Sequence, residues 1–141
     1  MSEVVVSSTM NLQNRVQYGE GQEMIIDEPK RMGGEGLGPD PYTMVLAALG
    51  GCISMTLSLY ARRKNWRLER VTVRLRASRI HARDCGECEH GTEGFVHRIE
   101  RSVIVEGDLS DEQRARLQEI AHKCPVHKML TSEIVIAEIK E

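Results

Sequence analysis

The sequence is poor in aromatic residues: Phe95, Trp66, Tyr18, Tyr42 and Tyr60 are all it has. Five scattered rings do not make a base-stacking platform. It also lacks a surplus of positive charge, with 19 Lys and Arg against 21 Asp and Glu and a net charge of −2. Such a surface has nothing with which to neutralise a run of phosphates, so a nucleic-acid partner is excluded. The start, MSEVVVSSTMN, carries neither the basic nor the apolar region of a secretory signal, which predicts a cytoplasmic location. In that compartment four cysteines read as thiols, metal ligands or redox groups rather than structural disulfides. Internal repeats and low-complexity segments are missing too, and the expectation is one domain over residues 1–141 with a single core.

What is present is organised around Tyr42–Ala61, YTMVLAALGGCISMTLSLYA, a stretch without charge that is closed by Arg62-Arg63-Lys64. With Asp40 as cap and Pro41 in the first turn, a helix is predicted from about 41 to 64. At about 1.5 Å per residue it spans ~35 Å, enough to cross a bilayer. Thr43, Ser54, Thr56 and Ser58 and the amphipathic strands on both sides favour instead the buried central helix of a soluble fold, with no membrane partner. Gly50-Gly51 lowers helix propensity directly before Cys52, and so predicts a close approach of another backbone or a substrate there.

The remaining chain is patterned for strands. Residues 9–18 alternate with period two, Gly19-Glu20-Gly21 turns, and residues 23–27 return, giving a hairpin closed by Pro29. Arg15 is the only basic residue among the first 29, and pattern alone reads it as a solvated strand-face charge. MGGEGLGPDP (32–41) is a loop, since neither the P-loop nor the dinucleotide spacing is satisfied. Residues 71–77 and 95–106 alternate again, with a polar loop over 81–94. Ser110 and Gln113 form a capping-box pair for a second helix ending near Lys123; a short helical turn and a final strand, 134–139, follow. The order β-β-α-β-β-α-β defines an α+β class, a largely antiparallel sheet covering the long helix.

The cysteines carry what chemistry the residues suggest. Cys124 precedes Pro125 at a predicted helix start, where the dipole favours a thiolate and a pKa below about 8.5. Cys52 lies mid-helix in apolar surroundings that disfavour its ionised form unless a cation reaches it. His81, Cys85 and Cys88 could supply three metal ligands, with His90 too close behind Cys88 to complete the set. Cys85-Gly86-Glu87-Cys88 is a C-x-x-C, and the greater weight falls on a polar loop with incidental thiols rather than on a metal or independent redox role, so no metal site is expected. His127, in CPVH, reads as a structural or local hydrogen-bonding residue rather than a general base.

Two motifs go further. Pro41–Lys64, with Gly51, Cys52 and Thr56 in a GC-x-x-x-T core, and residues 108–130, ending in Cys124-Pro125-Val126-His127, resemble the OsmC/Ohr family of osmotically inducible and organic hydroperoxide resistance proteins, as does the GGEGLGP loop. The resemblance implies an OsmC-like intertwined homodimer with its long helices buried at the centre. It implies a thiol peroxidase acting on small hydroperoxides, in which Cys52 becomes a sulfenic acid and Cys124 condenses with it to a disulfide. An external dithiol, dihydrolipoyl groups in the organic hydroperoxide branch, restores both thiols, so a dithiol reductant is an implied partner and no bound cofactor is needed. In that branch an arginine of the first hairpin stabilises the thiolate, which makes Arg15 a catalytic candidate. The family's glutamate, just after the helix-starting proline, is replaced by Tyr42 and followed by Thr43. That departure motivates a second reading, a weakly active or non-catalytic member that binds a small ligand.

Overall fold

The structure is a computed structural model that describes residues 2–88 and 93–140. The chain forms two compact units, residues 1–47 and 48–141.

In the first unit β1 (Val5–Ser8), β2 (Asn14–Tyr18) and β3 (Gln22–Ile26) make an antiparallel sheet in chain order. β1 adds a strand to the expected order, and the strand predicted over 9–18 begins only at Asn14. The cause is a tight turn: the Gln13 N–H donates to the Met10 carbonyl, and Asn11 takes a left-handed φ of 52°. Met10 and Leu12 are thereby exposed, and of the expected apolar face Val16 alone is buried. After β3 the chain winds round Asp27, whose carboxylate accepts N–H bonds from Glu28 (2.8 Å), Glu35 (3.3 Å) and Leu37 (3.2 Å). Burial pushes its pKa up, but the three donors outweigh burial and hold the carboxyl below the usual range. A Cβ at Gly34 would run into the Glu28 carbonyl, so the winding requires glycine there.

α1 (Pro41–Lys64) has the predicted bounds, and Asp40 Oδ1 accepts the Thr43 N–H at 2.7 Å as its cap. It is long and apolar enough to cross a membrane by length and composition. Its burial, however, follows one i, i+4 stripe, Leu49, Ile53, Leu57 and Ala61, which enters the core of the second unit. Met55 and Leu59, on another side, are exposed in the single chain, so the helix is not buried all round. A Cβ on Gly50 would come within 2.8 Å of Leu75 Cδ1, whereas one on Gly51 would meet nothing within 4 Å. What comes close before Cys52 is thus the Leu75 side chain at Gly50, not the backbone or substrate expected there.

Leu75 lies on β4 (Arg67–His81), which pairs antiparallel with β5 (Phe95–Asp108) from Arg67 opposite Asp108 to His81 opposite Phe95, with a bulge between Leu68 and Arg70. Alternation sends Val71, Val73, Leu75, Ile99, Val103 and Val105 onto the α1 stripe. α2 (Asp111–Ala121) starts at the predicted capping box, with Ser110 and Gln113 bonded reciprocally. Its Arg114 donates to the carbonyls of Val105 (2.7 Å) and Gly107 (2.9 Å), and Gln118 donates to that of Val103 (2.9 Å), so polar bonds as well as Leu117 and Ile120 fix α2 against β5. α3 (Pro125–Leu130) is the predicted helical turn.

The predicted last strand, 134–139, does not form among the described residues. Its alternation is genuine, but a strand exists only where a neighbour supplies ladder hydrogen bonds, and no strand among the described residues pairs with it. Val135 and Ile136 are 81% and 93% exposed as a result. The observed order is β-β-β-α-β-β-α-α, still α+β with antiparallel sheets and a long helix.

Candidate redox site

The sulfurs of Cys52 and Cys124 meet at the start of α3. Pro125 occupies its first position, so the next two backbone N–H groups are orphan donors of a helix start. Val126 donates to Cys52 Sγ and His127 to Cys124 Sγ, each at 3.5 Å. Two adjacent peptide groups thus serve two sulfurs from distant parts of the chain. Both are free thiols; Cys52 is half-buried and Cys124 has no exposed surface.

That burial reverses one expectation. Burial pushes the Cys124 thiol above its ordinary value, and its hydrogen bond with the Cys52 side chain pushes the same way. The His127 and Val126 N–H groups pull it down, but they do not win. A helix N-cap favours a thiolate only while the sulfur keeps some access to water, and Cys124 is a member of the core cluster with Leu117, Ile120 and Ala121.

Around the pair, His127 is held neutral: burial lowers its pKa, and the charge of Arg101 and the neighbouring His122 add to the effect. Arg101 Nη2 donates to His122 Nδ1 at 3.1 Å. Arg101, His97 and His127 line a cavity of about 210 Å³ with Leu49, which lies one helical turn before Cys52. Arg101 and His97 were not singled out by sequence reasoning, for the alternation of β5 shows which face a residue takes but not what lies opposite. The Val126 donor could have been found from Pro125, since the orphan donors of a helix start are implied by it. A groove of about 700 Å³ has Thr56, Leu59, Ile120 and Pro125, the residue after Cys124, in its walls, with Tyr60 and Arg116 among its polar edges. Arg116 Nε donates to the Tyr60 hydroxyl at 3.2 Å.

Arg15 belongs to the first unit, on β2 opposite Ile25, with a partly exposed side chain 3.9 Å from Glu23 Oε1. Cys85 and Cys88 are closed as a disulfide with Cα atoms 5.5 Å apart, so neither is an incidental thiol nor a ready metal ligand. His81 is turned to local use, its Nδ1 accepting the Arg83 N–H at 3.3 Å. His90 lies outside the described residues.

The profile of the OsmC-like protein family matches residues 33–138, which contain both cysteines of the site. The chain belongs to the OsmC-like family. No curated protein matches it by sequence. Among solved structures, an OsmC-like protein from Mycoplasma pneumoniae superposes with a TM-score of 0.70 at 17% identity, over 92% of this chain and 86% of that one. An organic hydroperoxide resistance protein OsmC from Legionella pneumophila gives 0.65 at 19% identity, covering 93% and 89%. The organic hydroperoxide resistance protein OhrB of Bacillus subtilis gives 0.61 at 18% identity, covering 93% and 90%. At these identities the likeness establishes the OsmC fold, and the chemistry must be argued from the residues.

Proposed function

We propose that this OsmC-family protein is a cytosolic thiol peroxidase that reduces organic and inorganic hydroperoxides in oxidative stress defence. The observation that carries the reading is the pairing of both sulfurs with consecutive N–H groups at one helix start. Val126 aims its N–H at Cys52 Sγ, the sulfur that would attack as a thiolate. It attacks one peroxide oxygen, the O–O bond breaks, and the alcohol leaves with a proton, giving a Cys52 sulfenic acid. The Cys124 sulfur attacks Cys52, water departs, and a Cys52–Cys124 disulfide remains. An external dithiol, of the dihydrolipoyl type, takes the oxidation equivalents and becomes a disulfide itself. Arg15 is the arginine assigned to the thiolate by the family pattern, and Arg15→Ala is expected to slow the first step. The apolar walls of the groove beside Thr56 and Pro125 suit the organic part of a hydroperoxide.

A homodimer is part of the reading. Met55 and Leu59 on α1 and Val135, Ile136 and Ile139 in the tail are apolar and exposed, a pattern that a second copy of the chain would cover. Size measurement in solution tests it, with a dimer expected and a monomer at micromolar concentration counting against it.

The decisive assay is steady-state reduction of tert-butyl hydroperoxide with dihydrolipoamide. Turnover is expected for the wild type, with Cys52→Ser falling to the protein-free rate; a wild type no faster than that variant sinks the proposal. One observation favours a second reading, a weakly active ligand-binding member: Tyr42 stands where the family has glutamate. Slow turnover alongside complete single-turnover oxidation of Cys52 and Cys124 would mark that case.

A further inference from the structure

We propose that Cys85 and Cys88 form a second redox centre, a surface disulfide that collects electrons from an external dithiol and passes them to the Cys52–Cys124 disulfide. The inference rests on the peroxidase reading of that inner pair. Four observations lead to it.

The bridge spans only three residues, and a ring that short removes little freedom from the unfolded chain, so a purely structural purpose is weakly served. It is accessible: Cys88 is exposed and Cys85 partly so, whereas Cys124 is sealed in the core. Attack on a disulfide needs access to one sulfur, and the outer pair offers it where the inner pair offers less. The loop is tied to β5, since Arg98 donates to Glu87 at 2.9 Å and Glu87 lies between the two cysteines. Finally, the cavity of about 530 Å³ that Cys85 and Cys88 line shares His97, Ile99, Arg101 and Thr131 with the cavity against Leu49 and His127. The outer disulfide therefore opens onto the same stretch of β5 that backs the inner site.

The steps balance as thiol–disulfide exchange. A thiolate of the external dithiol attacks the exposed Cys88 sulfur and Cys85 leaves as a thiolate. The reductant's second thiol then attacks the mixed bond, freeing Cys88, and the reductant departs as a disulfide. Cys88 next attacks one sulfur of Cys52–Cys124, releasing the other as a thiolate. Cys85 attacks the resulting mixed disulfide, which restores Cys85–Cys88 and frees the second inner sulfur. Two electrons and two protons move at each exchange.

The test counts oxidation equivalents in fully reduced protein after the reductant has been removed. Tert-butyl hydroperoxide is added stepwise, samples are acid-quenched and alkylated, and all four thiols are mapped by peptide mass. Two equivalents of peroxide per chain are expected to be consumed, with oxidation reaching Cys85–Cys88 after it appears at Cys52–Cys124 and at a rate independent of protein concentration. Cys85→Ser/Cys88→Ser should consume one, and in Cys52→Ser the outer pair should stay reduced. Consumption of a single equivalent by the wild type, or outer oxidation as fast in Cys52→Ser, overturns the relay. If Cys52 of the wild type is untouched by peroxide, the peroxidase reading is what fails. The relay is then judged in Cys85→Ser protein treated with diamide. A bond from Cys88 to Cys52 or Cys124 supports it, and absence of that bond overturns it.

Discussion

The C-terminal unit holds two cysteine pairs built on opposite principles. Cys85 and Cys88 are near neighbours in a polar loop, already bonded, with Cys88 facing solvent. Cys52 and Cys124 come from a long helix and from the cap of a short one, and tertiary packing alone brings them together, as free thiols. The first pair gets its proximity from chain connectivity, so it survives local unfolding. The second depends on the core: Leu49, Ile53 and Leu57 seat α1, while Leu117 and Ile120 seat α2 just ahead of Cys124. One pair is therefore a property of a loop and the other a property of the fold.

Substitutions that treat the two pairs alike should expose the contrast. The largest effect is expected at Cys124→Ala. Turnover with dihydrolipoamide should collapse while Cys52 still takes the first oxidation, so sulfenic and then sulfinic forms of Cys52 accumulate in the mass spectrum. The same change removes a fully buried side-chain atom and should cost about 1–2 kcal/mol in urea unfolding. Disulfide formation at an undiminished rate in that variant would show that another thiol resolves Cys52. A smaller effect is expected from Cys85→Ser/Cys88→Ser: loop-closure entropy for so short a ring limits the loss to about 2 kcal/mol at most. A greater loss in urea unfolding would mean that the outer bridge is a structural staple, and the contrast would be drawn in the wrong place.

The smallest effect is in pH dependence. Burial raises the Cys124 thiol above its ordinary value, so the folded state holds that proton more tightly than the unfolded chain does. Stability from this source is complete below the unfolded thiol value, about 8.5, and is lost as pH rises from there toward the folded value. Tm of the fully reduced protein should thus decline above that pH, and more steeply than in Cys124→Ala. Equal slopes in the two proteins would remove burial as the dominant influence on this sulfur.

How far the sequence foretold this arrangement varied with how local each cause is. α1 was legible to the residue because Asp40, Pro41 and the terminal Arg62-Arg63-Lys64 are local signals, and so was the Ser110–Gln113 capping box. The pairing of Cys52 with Cys124 was legible only through family motifs, since nothing local links a mid-helix cysteine to a distant cap. β1 went unseen because Val4, Val5 and Val6 run without alternation. The strand expected over 134–139 was over-read, because alternation reports a preference and not the presence of a neighbour. The Cys85–Cys88 bond was not foreseeable from spacing, for the same C-x-x-C serves a metal, a dithiol or a disulfide. The direction of the Cys124 shift needed the packing of α2, which no local window contains.

The shared turn at the head of α3 has one more consequence. Because Val126 and His127 each point an N–H at a different sulfur, any change in charge or bonding at Cys52 and Cys124 must register on those two amides. In a ¹⁵N-labelled sample they would act as a built-in spectroscopic gauge. One resonance reads Cys52 and its sequence neighbour reads Cys124, so the redox state of the pair could be followed in real time without a dye or a substrate.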